Sequence, residues 1–170
     1  MALYIAQAVV ERVGIDLGLQ VVTGVVTCAR NISSLMGFIK TDDDKSELIT
    51  LLRNTDIEVT VVILECIVSE LDVDKRTPNS VVNCLKSLHE ILSQIEGELT
   101  TIKTRVEYNR ALWYLKSFRS YGFTTNITQI ESLLTILKNR KELLFETIEI
   151  MHALKKGHIN KSILEGTWII

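Results

Sequence analysis

Residues 80–106 decide the fold class and read SVVNCLKSLHEILSQIEGELTTIKTRV. Their apolar residues recur every three and four positions, which draws one apolar seam along a long helix. The seam consists of Val81, Leu85, Leu88, Leu92, Ile95, Leu99, Ile102 and Val106. Thr77 is suited to cap this helix, and Pro78 is suited to its first helical position, where the missing N–H does no harm. The stretch therefore predicts a long amphipathic helix.

A second helix is predicted before it, from Thr41 and Asp42, whose oxygens can cap a helix, to the polar stretch 72–78. Its expected seam is Leu48, Leu52, Val59, Val62, Cys66 and Leu71. Further apolar residues crowd the second half of this segment, which predicts burial on more than one face there. These residues are Ile57, Val61, Ile63, Leu64, Ile67 and Val68.

Asn126 is expected to cap the last long helix, with Gln129 placed for a capping box, and Gly157 is expected to end it. Its seam is Ile127, Ile130, Leu134, Leu137, Leu144, Ile148 and Met151. A short helix is expected within residues 103–122, and the N-terminal helical region is expected to break near Gly14–Gly18. The sequence thus predicts an all-α fold, an elongated four-helix bundle with a short extra helix over residues 1–156, and a short tail at 157–170.

The N-terminal segment from Leu17 to Ala29 reads LGLQVVTGVVTCA, carries no charge and is rich in glycine and β-branched residues. A transmembrane helix needs about 20 predominantly apolar residues, so this uninterrupted run is too short to be one by itself. One interpretation is a helix buried in the middle of a bundle. The other is a helix that is buried in one state and enters a membrane in another.

The composition favours a single helical domain and excludes several classes of protein. The 170 residues are 46% hydrophobic with a formal net charge of -2, which does not favour nucleic-acid binding. Cys28, Cys66 and Cys84 are far apart in sequence and odd in number, and the first residues lack the basic region of a signal peptide. We therefore expect free thiols and a cytoplasmic protein.

No catalytic or metal-binding constellation is apparent in the sequence. Glu149 and His152 have the spacing of a di-iron carboxylate motif, but such sites need two motifs and further glutamates. His89 and Glu90 begin like a zinc-protease motif, but Ser93 stands where its second histidine would be. We expect a chain that is not an enzyme and holds no metal or cofactor.

A basic and aromatic interval follows the long helix of residues 80–106. Its candidate lipid- or partner-contacting residues are Arg110, Trp113, Lys116 and Arg119. Basic side chains among aromatic ones suit anionic lipid or nucleic acid, but the same aromatics can plug one end of a bundle while the charges stay in water. Both interpretations remain open on the sequence.

The arrangement of these segments resembles the HeLo superfamily of helical bundles, which includes fungal HeLo and HeLo-like death domains and the N-terminal bundle of the mixed-lineage kinase domain-like pseudokinase. The resemblance rests on the small-apolar helix Val13–Ile39, on the basic turn Arg110-Ala-Leu-Trp-Tyr-Leu-Lys, and on the last helix with Ile130, Leu133, Leu134, Leu137, Lys138 and Leu143. It implies a cell-death or defence protein whose bundle oligomerises and permeabilises membranes.

Carried onto this chain, the resemblance places the membrane-active segment at Gly14, Gly18, Val21, Val22, Gly24 and Val25. It implies self-association, an anionic membrane as partner and membrane association of a cytoplasmic protein when active. Asp16 and Arg30 remain in the segment, so insertion requires that these charges be neutralised or lie at the membrane interface. The alternative function is a soluble helical adaptor or inhibitor that acts through a protein partner.

Overall fold

The computed structural model describes residues 2–40, 46–54, 56–71, 77–111 and 122–164, and within these it does not describe the side chains of 2–16, 46–48, 51, 109, 110 and 155–164. Its five helices are α1 (Ala2–Lys40), α2 (Ser46–Asn54), α3 (Ile57–Glu70), α4 (Asn79–Ala111) and α5 (Thr124–Leu164). The described residues form no strand, which confirms the all-α prediction.

The predicted seam of α4 is confirmed at every position. All eight of its apolar residues, from Val81 to Val106, are at most 3% exposed, and they form the spine of the core. Pro78 lies just before α4, and its carbonyl accepts hydrogen bonds from the N–H groups of Val81 and Val82. The strict spacing buries a single face, so the side chains of the other faces, such as Lys86, Glu90 and Gln94, are exposed.

The helices α1 and α4 run parallel, and among the described helices they share the most extensive packing. Their side-chain contacts pair Cys28 with Ser93 and Asn31 with Glu96, each 65 residues apart, so both helices advance in the same direction. α3 packs antiparallel on α1, because Arg30 pairs with Glu65 and Lys40 with the earlier Glu58.

The last helix, α5, packs chiefly on α4 and runs antiparallel to it. Cys84, early in α4, contacts Thr147, late in α5, whereas Arg105 donates a hydrogen bond to Asn126. α3 and α5 thus flank the central pair of α1 and α4.

The predicted single helix before α4 is wrong, because two helices, α2 and α3, occupy this region. Asp56 between them has φ 48°, a left-handed conformation that interrupts the helical path between α2 and α3. The break shifts the helical phase, so the buried residues of α3 are Ile57, Val61, Leu64 and Val68. The expected seam residues Val59, Val62 and Cys66 are exposed, as is Ile63, and α3 is buried on one face only.

Three predicted helix boundaries are also wrong. α1 passes Gly14 and Gly18 without interruption, and α5 continues past Gly157 to Leu164, so the predicted boundary at residue 156 lies within a helix. A glycine costs a helix about 1 kcal/mol relative to alanine, which packing elsewhere on a long helix can offset. Asn126 lies inside the first turn of α5, where it is buried and its side chain bonds to Glu98 and Arg105 instead of capping the helix.

Candidate functional site on helix α1

The second half of α1 carries more apolar surface than the core accommodates. Leu17–Lys40, 24 residues that include an 18-residue window with a mean hydropathy of 1.3, is long and apolar enough to cross a membrane by length and composition, a test that core helices also pass. Of the residues in that window 33% are buried, and Leu17 and Leu19, at the start of the stretch, are 43% and 50% exposed. The charge-free run by itself is too short because it ends before Arg30, but the apolar pattern continues beyond this residue.

One face of this stretch is fully packed. The residues with no exposed surface are Val25, Ala29, Ile32, Met36 and Ile39, which recur at helical spacing. Burying apolar surface stabilises a fold by about 25 cal/mol per Å², so this face supplies most of the free energy that holds α1 in place.

Beside this apolar face runs a row of contacts that we call the α1–α4 ladder. Each joins a residue of α1 to the residue of α4 that lies 65 positions later. Its pairs are Gly24 with His89, Cys28 with Ser93, Asn31 with Glu96, and Phe38 with Lys103. The constant offset shows that the two helices stay in register over about four turns.

The first pair depends on a glycine. A Cβ atom at Gly24 would lie 2.8 Å from Nε2 of His89, closer than such atoms approach in proteins. The imidazole of His89 therefore rests on the bare backbone of α1, and this position favours glycine for packing and not for backbone conformation, because a Cβ would displace the His89 side chain. At Gly37, farther along α1, a Cβ would meet nothing within 4 Å.

The next two pairs are hydrogen bonds. Sγ of Cys28 lies 3.4 Å from Oγ of Ser93, and Nδ2 of Asn31 donates to Oε1 of Glu96 at 2.8 Å. Burial raises the pKa of the Cys28 thiol above its ordinary value, and the charge of Glu96 acts in the same direction. Cys28 is thus kept as a neutral thiol, the form that suits a contact inside a helix interface.

Ionic contacts attach the other side of α1 to α3. Nε of Arg30 lies 2.7 Å from Oε1 of Glu65, and Lys40 forms an ion pair with Glu58. The Arg30 side chain is 68% exposed, so water screens this pair and its contribution to stability is about 0–1 kcal/mol. These ion pairs affect the orientation of α1 on α3 more than they stabilise its position.

The predicted membrane-active residues do not share one environment. Val25 is buried, Gly18 is buried, and Val21, Val22 and Gly24 are half-buried against the core. Gly14 lies in the helical backbone of α1, outside the part whose side chains are described.

The predicted basic and aromatic contacts lie elsewhere. Arg110 belongs to the last turn of α4, and Trp113, Lys116 and Arg119 lie outside the described residues. The offset of 65 places Gly14 level with Asn79, and Arg110 is 31 residues farther along α4, about 46 Å away. The structure therefore places Gly14 and Arg110 near opposite ends of the central helix pair.

The described residues contain no cluster of three or more metal-ligating side chains. Glu149 and His152, which have the spacing of a half di-iron motif, are exposed on α5. The sequence did not point to the residues of α4 that contact α1 in this ladder: His89, Ser93 and Glu96. Their spacing of four and three along the flank of the seam was a readable signal, but nothing in the sequence indicated that α1 would be their partner.

Comparisons of the chain with models of protein families, with curated proteins and with solved structures gave no match. Its function is therefore inferred from the geometry of α1 and from the resemblance that the sequence carries.

Proposed function

We propose that this chain is a non-enzymatic helical bundle of the cell-death or defence type that acts on membranes through α1. The architecture of the protein would be an elongated four-helix bundle in which α2 and α3 together take the place of one helix. The observation that supports the proposal most is the apolar stretch Leu17–Lys40, which is long and apolar enough to cross a membrane and in which Leu17 and Leu19 are 43% and 50% exposed. The protein would be cytoplasmic, would self-associate, and would bring α1 to an anionic membrane when active.

The contacts of α1 suit a helix that can leave its place. Its ladder bonds to Ser93 and Glu96 each contribute about 0.5–1.5 kcal/mol, and its exposed ion pairs contribute less. Apolar burial stabilises the position of α1 more than these bonds do, and a bilayer interior can replace it. Arg30 lies near the middle of the stretch, where a charge in a bilayer costs about 2.5–3.5 kcal/mol, so we propose that it stays paired or lies at the membrane interface.

The first test places a charge in α1 without disturbing the folded protein. Thr23 is exposed, so Thr23→Glu should fold normally yet oppose entry of α1 into a bilayer. We expect dye release from anionic vesicles by the unaltered protein and a loss of at least tenfold in Thr23→Glu. Thr23→Gln and the exposed α4 variant Thr100→Glu serve as controls for size and for charge, and both should release dye normally. Full release by Thr23→Glu would remove α1 from the mechanism.

The second test locks α1 onto α4. Because Cys28 Sγ lies 3.4 Å from Ser93 Oγ, Ser93→Cys in a chain with Cys66→Ser and Cys84→Ser should allow a disulfide across the ladder. We expect the oxidised variant to release no dye and the same sample to regain release after reduction. Equal release in both redox states would mean that α1 does not separate from α4.

One observation favours the alternative, an adaptor or inhibitor that acts through protein contacts. The α3 outer stripe, defined as Val59, Val62, Ile63 and Cys66, faces away from α1 and is exposed, Val59 by 58%. Exposed apolar helix faces commonly mark protein interfaces. Ile63→Lys should weaken self-association measured by analytical ultracentrifugation, while the matched change at the exposed Ile136 of α5 should not. If Ile63→Lys abolishes association but leaves dye release intact, the two functions belong to different surfaces.

A further inference from the structure

The helices of this protein end unequally at one end of the molecule. With the offset of 65, the start of α4 at Asn79 is level with Gly14, so residues 2–13 of α1 extend past α4. Twelve helical residues span about 18 Å. α3 does not reach this end of the molecule. Its Glu65 is level with Arg30 of α1, and Glu70, the last residue of α3, lies only five positions later.

α5 extends past the start of α4 by the same length. Cys84 contacts Thr147 in this antiparallel pair, so Asn79, five residues earlier, is level with residue 152. The remaining twelve residues of α5, 153–164, therefore continue beyond the start of α4, as residues 2–13 of α1 do. We call these two extensions the twin-helix end.

The twin-helix end differs in charge from the rest of the chain. Residues 153–164 contain Lys155, Lys156 and Lys161 and no acidic residue, while Glu11 and Arg12 cancel in residues 2–13. The twin-helix end thus carries a formal charge of +3, and the rest of the chain carries -2 minus +3, or -5. The protein is acidic overall, but its twin-helix end is basic.

Exposed apolar side chains adjoin this basic end. Leu17 and Leu19 on α1 are 43% and 50% exposed, and Ile150 and Leu154 on α5 are each 61% exposed. Apolar side chains beside lysines are typical of segments that bind the headgroup region of a bilayer. An acidic protein partner would match the charge but would not by itself account for apolar exposure on both helices.

We propose that the twin-helix end docks on an anionic lipid surface, with the lysines of α5 supplying the attraction. This inference rests on the proposed function and deepens it, because it names the end of the molecule that meets the anionic membrane and the residues that attract it. It also assigns the attraction to α5 and not to the interval that begins at Arg110, which lies at the other end of α4.

The test measures binding by co-sedimentation with vesicles, not dye release. Three lysines near a membrane surface, at about 1 kcal/mol each, predict a loss of about 100-fold on vesicles containing phosphatidylserine when Lys155, Lys156 and Lys161 are all changed to Gln. The matched control is Lys138→Gln, Arg140→Gln and Lys141→Gln, on the part of the same helix that packs beside α4, and it should lose less than threefold. Circular dichroism checks that both variants are helical.

A second measurement needs no variant. Binding of the unaltered chain should fall steeply as salt is raised from about 0.05 to about 0.5 M, because the Debye length shrinks severalfold. Equal binding to neutral and anionic vesicles, equal loss in the two triple variants, or binding to an acidic protein but to neither vesicle would each overturn the inference. Lysine-dependent binding without dye release would support this inference and refute the proposed leakage. Dye release that is unchanged in the lysine variant would support the proposed leakage and refute this inference.

Discussion

The two central helices, α1 and α4, pack on each other in parallel but use their apolar residues differently. α4 has one seam, every member of which is at most 3% exposed; of its other described apolar residues, Val82 and Ile91 are half-buried and Tyr108 is exposed. α1 has an equally buried face but also exposes Leu17 and Leu19 and only half buries Val21, Val22 and Val26. Folding therefore accounts for most of the apolar residues of α4, whereas α1 carries more apolar surface that folding does not use. That surplus is the reason to look for function on α1.

The largest difference should come from the same substitution made in each helix. Leu92→Asp places an unpaired charge at a position with no exposed surface in α4, and we expect a loss of about 3–5 kcal/mol in the free energy of unfolding. Leu19→Asp, at a half-exposed site on α1, should cost less than about 1 kcal/mol. Urea unfolding followed by circular dichroism measures both. Similar losses would mean that the apolar surface of α1 is structural after all.

The contact between Gly24 and His89 predicts a smaller difference within α1. Gly24→Ala gains about 1 kcal/mol of helix propensity but forces His89 to move, whereas Gly37→Ala gains the propensity in open space. We expect Gly37→Ala to be the more stable variant by about 1–2 kcal/mol in thermal unfolding, a range typical of overpacking at one contact. Adding His89→Ala to Gly24→Ala should remove most of the gap. A gap that persists in that double variant would place the strain elsewhere.

The thiols offer a comparison of buried and exposed surfaces by reaction rate. At about pH 8, near the ordinary pKa of a thiol, we expect Cys66, exposed on α3, to react with a thiol reagent first and Cys28 last. Burial raises the pKa of Cys28 in the folded state above its unfolded value, so the associated stability is present below the unfolded pKa and is lost as pH rises through the folded one. Fast labelling of Cys28 at a pH below its unfolded-state pKa would show that α1 separates from α4 in the resting protein.

The smallest effect is expected at the ion pair between α1 and α3. Arg30→Gln should change the free energy of unfolding by less than about 1 kcal/mol, because the Arg30 side chain is 68% exposed and water screens the pair. The difference from the unaltered chain should shrink further in about 0.5 M salt. A loss above about 2 kcal/mol, beyond the range of exposed pairs, would instead assign Arg30 a structural role that its exposure does not indicate.

Sequence reasoning succeeded where one periodicity applied and failed where local and tertiary effects competed. The seam of α4 could be predicted residue by residue because its alternation of four- and three-residue steps continues without a break. The buried face of α3 could not, because the left-handed residue Asp56 resets the helical phase, and the turn signal there, Asn54-Thr55-Asp56, lacks the glycine or proline that would mark a clear break. Asn126 has the side chain of a cap, but tertiary contacts with Glu98 and Arg105 place it inside a helix.

The sequence points to one side of the candidate site but not to the other. The apolar stretch around Gly24 and Val25 stands out in the sequence, but its partners on α4 do not. The choice of His89, Ser93 and Glu96 as neighbours depends on which helices pack in parallel and in which register. A single sequence does not encode that pairing in any local pattern, since any amphipathic helix of the chain offers α1 a similar face.

The constant offset of 65 residues also determines how long α1 is synthesised before its contacts on α4. A ribosome adds about 5–20 residues per second, so each residue of α1 waits about 3–13 seconds before its counterpart on α4 has been made. α3 is made sooner, since its Glu58 follows Lys40 by only 18 residues, and it covers one side of α1 in the meantime. During this interval the nascent chain presents the bare face of Val25, Ala29 and Ile32 to chaperones and membranes, before the mature protein exists to conceal it.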